Sequence, residues 1–266
     1  MEPAINVALL WLLFGGTHIA LATKRPRAAL VRRFGEWGFV GAYSAVALVS
    51  FAVLVNYFAL HRLEGTGGIG LAAVPLVRWL LYAMAAIGAA VMAMSLFDYP
   101  LSAYALLSKA KAYEPRAIER ISRHGFFAGL GLLALAHALL ATHLTGTAFF
   151  GVLALFTWVG AAHQDAKLLA QRGEVHRRYM EVTSFVPFAA IVSGRQRLDL
   201  RGIPAAAWVA AVVVPWLLRT FHDSIFAGGG AYAIAAVAIG AAIASLQSFR
   251  AQRRQAATSA LNVGAA

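Results

Sequence analysis

The chain has 266 residues, of which 61% are hydrophobic and 13% charged, with a mean hydropathy of +0.69. A soluble domain carries roughly 25% charged residues, and apolar runs of bilayer-spanning length, about 17–25 residues each, recur from end to end. The composition excludes a soluble globular protein and implies an all-α, polytopic integral membrane helical bundle. The net charge of +12 collects in the gaps between the apolar runs, which points to anionic lipid headgroups and away from nucleic acid.

Seven spans are expected, at about residues 4–23, 37–60, 71–97, 125–143, 147–164, 206–222 and 230–248. The first run follows Met1-Glu2-Pro3, which lacks the basic start of a signal peptide, so it is expected to be retained. The gap after it carries Lys24, Arg25, Arg27, Arg32 and Arg33, whereas the next gap has Arg62 alone. The third gap, DYPLSAYALLSKAKAYEPRAIERISR, mixes apolar residues with Lys109, Lys111, Arg116, Arg120 and Arg123 and is expected to lie along the membrane interface. The longest polar segment, 164–205, starts as a helical continuation of the fifth span; its apolar middle, TSFVPFAAI, is expected to fold back against the membrane. Residues 255–266 are small and polar, and read as a disordered tail. Lys/Arg excess marks cytoplasmic loops, so the alternation predicts an outside N-terminus and a cytoplasmic C-terminus; a bacterial-type inner (plasma) membrane is the expected location. There is no cysteine, which excludes disulfides, thiolate metal ligands and covalent haem attachment.

The stretch RHGFFAGLGLLALAHALLATH (123–143) holds His124, His137 and His143. At about 100° per residue these three do not share a face, the offsets being roughly 220° and 240°. A ligand role for His137 therefore needs a partner on another helix. His18, the other histidine inside a span, is the candidate; helix rise places the two roughly 13 and 21 Å from the cytoplasmic boundary, which is a tolerable match once tilt is allowed. Each has small residues at −3 and +4: Gly15 and Ala22 around His18, Ala134 and Ala141 around His137. Small side chains there leave a surface on which a planar ring could lie, and the same residues equally serve helix packing. Gly125-Phe-Phe-Ala-Gly129 is a GxxxG of the packing kind. Arg78 and Arg219, near the outer ends of their spans, are expected to snorkel to the headgroups; binding a cofactor carboxylate is the sharper reading.

Arg123-His124, followed downstream by Gln164-Asp165, Gly173-Glu174 and Tyr179, resembles the cofactor-binding cluster of membrane methyltransferases of the isoprenylcysteine and phospholipid type. That resemblance implies S-adenosylmethionine at the cytoplasmic face. Here Gly125 stands where that family has proline, and Gln164-Asp165 where it tends to have glutamates.

A resemblance of wider extent lies in THIALA (17–22), RFGEWGFVGAYSAVALVSF (33–51), RHGFFAG (123–129), ALAHALL (134–140) and TSFVPFAAIVSGRQRL (183–198). In that order these segments are similar to the NnrU family, which includes bacterial NnrU proteins associated with denitrification and the 15-cis-zeta-carotene isomerase of plants and cyanobacteria. The resemblance implies an NnrU-like transmembrane domain over 1–222, which includes the cytoplasmic segment 164–205, with a further C-terminal transmembrane helix over 223–254. It also implies haem b held by two intramembrane histidines, with His18 and His137 at the corresponding positions; Gly15, Ala134 and Ala141, the small residues beside them, are then the expected lining of the ring. Plant members carry a cysteine three residues before the second histidine; here it is Ala134, so a thiolate exchange cannot operate. The function implied is cis–trans isomerisation of a hydrophobic polyene. The alternatives are a non-catalytic accessory role in nitric oxide or nitrite reduction and the S-adenosylmethionine-dependent methyltransferase.

Overall fold

The computed structural model describes residues 2–98, 115 and 117–243. The interfacial segment with Lys109, Lys111 and Arg116, the end of the seventh span and the tail lie outside the described residues. Within them the regular structure is helical, with one isolated bridge between Gly67 and His143.

Helix α1 (Pro3–Ala22) starts on a proline, tolerated where the N–H has no helical acceptor anyway. It stops at Thr23, which is extended (φ −70°, ψ 154°), and α2 (Lys24–His61) begins at the next residue. The first basic gap, read from sequence as a break between spans, is thus mostly helix, built from the good helix formers Lys, Arg, Ala and Leu. The change of direction into the span falls instead at Gly35 (φ 72°, ψ 170°), a backbone region open essentially to glycine alone. Arg27 and Glu36 pair across this kink.

The third span begins later than expected. Leu71–Ala73 is a single 3-10 turn, and α3 (Pro75–Asp98) starts at Pro75, which lacks the N–H needed to continue a preceding helix. After α4 (Ile118–Ile121), α5 (Gly125–Leu140) ends before residue 143 was expected to close it. Ala141 is extended (φ −61°, ψ 128°), and residues 141–144 pair with the loop at 66–70 instead. The Gly68 N–H donates to the Thr142 carbonyl and the Gly70 N–H to the Ala141 carbonyl, each at 2.9 Å. A Cβ at Gly68 would stand 2.5 Å from the Ala141 oxygen, so this approach requires glycine.

Helix α6 (Leu144–Arg172) runs on past the fifth span, as the sequence predicts, and stops at Gly173 (φ 55°). Then come α7 (Glu174–Val182), α8 (Ala189–Val192), α9 (Ala205–Thr220), α10 (His222–Ile225) and α11 (227–243). The TSFVPFAAI segment packs onto the chain just before α5: the Phe188 N–H donates to Ile121 O and the Arg123 N–H to Ser184 O, both at 2.9 Å. By length and composition α1, α2, α3 and α6 can cross a membrane, while α5, α9 and α11 are apolar but shorter.

The helices pack as a row: α2 against α1, α1 against α6, α6 against α5, α5 against α3, and α3 against α9. One apolar core lies between α1, α2 and α6 around Val7, Trp11, Leu54, Phe58 and Phe149, with Phe226 and Ile234 covering it. A second joins α3, α4 and α9 through Met94, Ile118, Ile121 and Ala207. The α3–α5 seam is the closest: a Cβ at Gly88 would stand 2.6 Å from Gly129 O, and one at Gly129 would stand 2.5 Å from Gly88 O. At the same seam a Cβ at Gly125 would collide with the Ser95 hydroxyl. The GxxxG therefore packs backbone on backbone, as expected.

Candidate functional site

His18 lies in the last turns of α1, toward the Lys/Arg-rich end of the bundle. The Tyr43 hydroxyl, from α2, stands 2.9 Å from its Nε2 and 3.1 Å from its Nδ1, occupying the edge of the ring that carries both nitrogens. Phe14 and Phe156 close around it, with ring centres at 5.5 and 6.2 Å, and His163 of α6 is near enough to interact with it electrostatically.

His137 is in the last turn of α5, at the opposite end. Its Nδ1–H donates to the Leu133 carbonyl at 2.8 Å, so the neutral ring keeps its lone pair on Nε2. Phe150 lies beside it at 4.8 Å, and the His222 ring at 6.0 Å with 22° between the planes.

Helix α6 measures the separation of His18 and His137. Phe150 accompanies His137 and Phe156 accompanies His18, and six residues of helix rise amount to roughly 9 Å. Tyr43 of α2 engages His18, whereas His137 faces Phe150 and His222. The small residues beside the two histidines have different surroundings. A Cβ at Gly15 would meet the Phe156 ring at 3.1 Å, so Gly15 admits a neighbouring helix and leaves no open platform. Ala134 is buried inside the bundle, and Ala141 has left the helix, so it does not share the helical face of His137.

The most heavily bonded polar cluster forms elsewhere, at the basic end. Asp165 accepts from Arg123 Nε at 2.9 Å on Oδ2 and from His124 Nε2 at 2.8 Å on Oδ1, and it lies 3.2 Å from His176 Nε2. All four side chains are largely or fully buried. Of the methyltransferase-like set this brings together Arg123, His124 and Asp165, with the Tyr179 ring 5.8 Å from that of His176. Glu174 does not join them: it is exposed and pairs with Arg177 and Arg178. Asp165 is saturated by side chains of the protein itself, which fits a clamp between α6, α7 and the start of α5.

Three participants escaped the sequence reading: Tyr43, the clamp role of His176, and the pairing of His222 with His137. A signal existed only for the clamp, since Asp165 is an isolated acid at the end of a long apolar run. Among the described residues no group of three or more His, Cys, Asp or Glu side chains is placed to hold a metal ion.

A row of apolar helices with its histidines at the two ends and a closed polar clamp at the basic end defines a multi-span helical membrane protein. The chain belongs to the NnrU family: the family profile, described as NnrU protein, matches residues 6–228. It is 30% identical over 204 residues to the chloroplastic 15-cis-zeta-carotene isomerase of Arabidopsis thaliana, a match covering 74% of this chain and 53% of that protein. It is 29% identical over 200 residues to the enzyme of the same name from Zea mays, covering 73% and 52%. The chain thus spans about half the length of the curated relatives it matches. No solved structure matches it.

Proposed function

We propose that this protein is an intramembrane cis–trans isomerase of a hydrophobic, conjugated polyene. The observation that carries the reading is an unbroken run of rings along the α1–α6 seam between the two intramembrane histidines. From His18 it passes to Phe156 (6.2 Å), Trp11 (5.8 Å), Phe149 (5.6 Å), Phe150 (5.1 Å) and His137 (4.8 Å). A conjugated hydrocarbon offers no hydrogen-bonding groups, so recognition must come from shape and dispersion, which such rings supply. Leu9, Leu12, Leu13 and Leu155 on α1 and α6 are exposed, which suits entry of a hydrophobic substrate from a bilayer. The matches to the two isomerases extend across most of this chain.

Rotation about a double bond transfers no proton, so the seam needs no acid–base pair. A bound haem b would supply one-electron exchange with the conjugated system. The residues of the chain would hold the polyene straight on either side of the rotating bond and keep water from it.

The test is expression in a carotenoid-producing host blocked at the 15-cis isomerisation step, with pigments resolved by chromatography. Recovery of the downstream all-trans pigment is expected. Membrane-inserted, haem-supplied protein that restores none would overturn the reading and favour the accessory role in nitrogen-oxide reduction.

A further inference from the structure

We propose that the basic start of α2, residues 24–34, together with Lys167 of α6, is a docking surface for the headgroups of anionic phospholipid. This surface is independent of the reaction proposed above. Four features support it.

The first is how the stretch KRPRAALVRRF divides around its helix. At about 100° per residue, Lys24, Arg25, Arg32 and Arg33 fall on one half, over Ala28 and Ala29. Leu30, Val31 and Phe34 fall on the other half, beside Arg27. The four cations are exposed, while Leu30 and Val31 are half-buried. Such a division suits a helix lying in a headgroup layer, with its apolar side toward the hydrocarbon and its cations among phosphates. Glu36 is the single acid of α2, and Arg27 takes it. The cationic half is left without an acid on its own helix.

The second is direction. Gly35 (φ 72°, ψ 170°) turns the basic stretch away from the axis of the span. Arg27 fastens the turn, because it pairs with Glu36 and its guanidinium lies 5.4 Å from the centre of the Phe39 ring beyond the kink. The basic stretch is therefore held beside the bundle instead of continuing along the span.

The third is the pair of aromatics at the turn. Phe34 and Trp37 flank Gly35, and each is 55% exposed. Aromatic side chains at the junction of a cationic helix and an apolar span suit the level between headgroups and hydrocarbon. They distinguish a lipid surface from a soluble polyanion, which would engage the cations and leave both rings in water.

The fourth is a cation from another helix. Lys167 lies on α6 beyond the fifth span and is half-buried. Burial, and then the charge of Arg27, push its ammonium below the usual lysine value. Asp165, two residues earlier, is already filled by Arg123, His124 and His176, and among the described residues no carboxylate pairs with Lys167. An anion at headgroup level relieves the repulsion between Arg27 and Lys167, and a lipid phosphate has the charge and the acceptor oxygens to do so.

The experiment uses the full chain in mixed micelles of detergent with phosphatidylglycerol or phosphatidylcholine, each brominated on the acyl chains near the headgroup. Quenching of tryptophan fluorescence is read, and the share of Trp37 is obtained by comparison with Trp37→Phe. At equal mole fraction that share should be quenched about threefold more by phosphatidylglycerol, and the preference should shrink as salt rises. The variant K24Q/R25Q/R32Q/R33Q should lose the preference, whereas R25K/R32K/R33K, which keeps the charge, should retain it. Lys167→Gln should weaken it. Equal quenching of the wild-type protein by the two lipids would overturn the proposal whether or not the glutamine variant folds. So would a preference that survives in the folded glutamine variant. Release of Trp37 from quenching by inorganic phosphate or by polyglutamate, at matched ionic strength, would mark a soluble anion or acidic partner and overturn it as well.

Discussion

His124 Nε2 and Asp165 Oδ1 meet at 2.8 Å, with side chains 3% and 9% exposed, and this contact ties the entry of α5 to the far end of α6. The carboxylate has been taken out of water, and Arg123 and His176 complete its shell. Such a group is costly to bury and more costly to break, because removing one partner strands the others.

Asp165→Leu should therefore destabilise the protein by about 3–5 kcal/mol, the range for a broken buried ion pair. Asp165→Asn, which keeps one acceptor oxygen, should lose less. Thermal unfolding in detergent, followed by size-exclusion monodispersity, checks both.

How far these features could be read from the sequence depends on the kind of signal each one leaves. Helix α6 running on from the fifth span and the GxxxG seam are local patterns, and the structure has them where the sequence puts them. The end of α5 is not local. Nothing in ALLATH stops a helix, and Ala141 leaves it because Gly68 and Gly70 arrive to bond its neighbourhood. The same limit applies to His18. Counting rise from the basic residues puts His18 roughly 13 Å and His137 roughly 21 Å from the cytoplasmic boundary, but the first basic run is helix as far as Gly35. The partners that distinguish the two rings, Tyr43 and His222, come from other helices. Asp165 was visible as an odd acid, but its three donors come from 41 and 42 residues upstream and 11 downstream.

Glycine substitutions should separate sharply by position. Gly129→Ala places a Cβ 2.5 Å from backbone on α3, which no side-chain rotation relieves, so the seam must open at a cost of about 1–3 kcal/mol. Gly151→Ala, a helical position with nothing within 4 Å, should be neutral or stabilise by up to about 1 kcal/mol. Unfolding temperatures of the two variants, measured side by side, decide this; equal values would mean that α3 and α5 are not in backbone contact.

Gly35 should tolerate no side chain. At φ 72° and ψ 170° even asparagine, which accepts the ordinary left-handed conformation, is excluded. Gly35→Ala and Gly35→Asn should each cost about 1–3 kcal/mol and weaken the turn that Arg27 and Glu36 close. Protease sensitivity of the basic segment 24–34 in membrane vesicles should rise in both variants, whereas a substitution at the unhindered Gly41 should leave it unchanged.

Trp11 carries the last prediction. Its indole N–H is buried without a hydrogen-bond partner among the described residues, while its ring meets Phe14, Phe149 and Phe156 at 5.6–5.8 Å. An unmade bond of this kind costs about 1–3 kcal/mol, so removing the donor offsets much of the lost ring area. Trp11→Phe should therefore change stability by less than about 1.5 kcal/mol, the usual ceiling for well-matched apolar exchanges, and retain pigment conversion. Trp11→Ala should cost about 3–5 kcal/mol and interrupt the run of rings, reducing conversion even in folded protein. Pigment yield normalised to folded protein separates the two effects. If Trp11→Phe proves as harmful as Trp11→Ala, the N–H is bonded in the working protein, and the seam holds a polar ligand group that a pure hydrocarbon substrate does not possess.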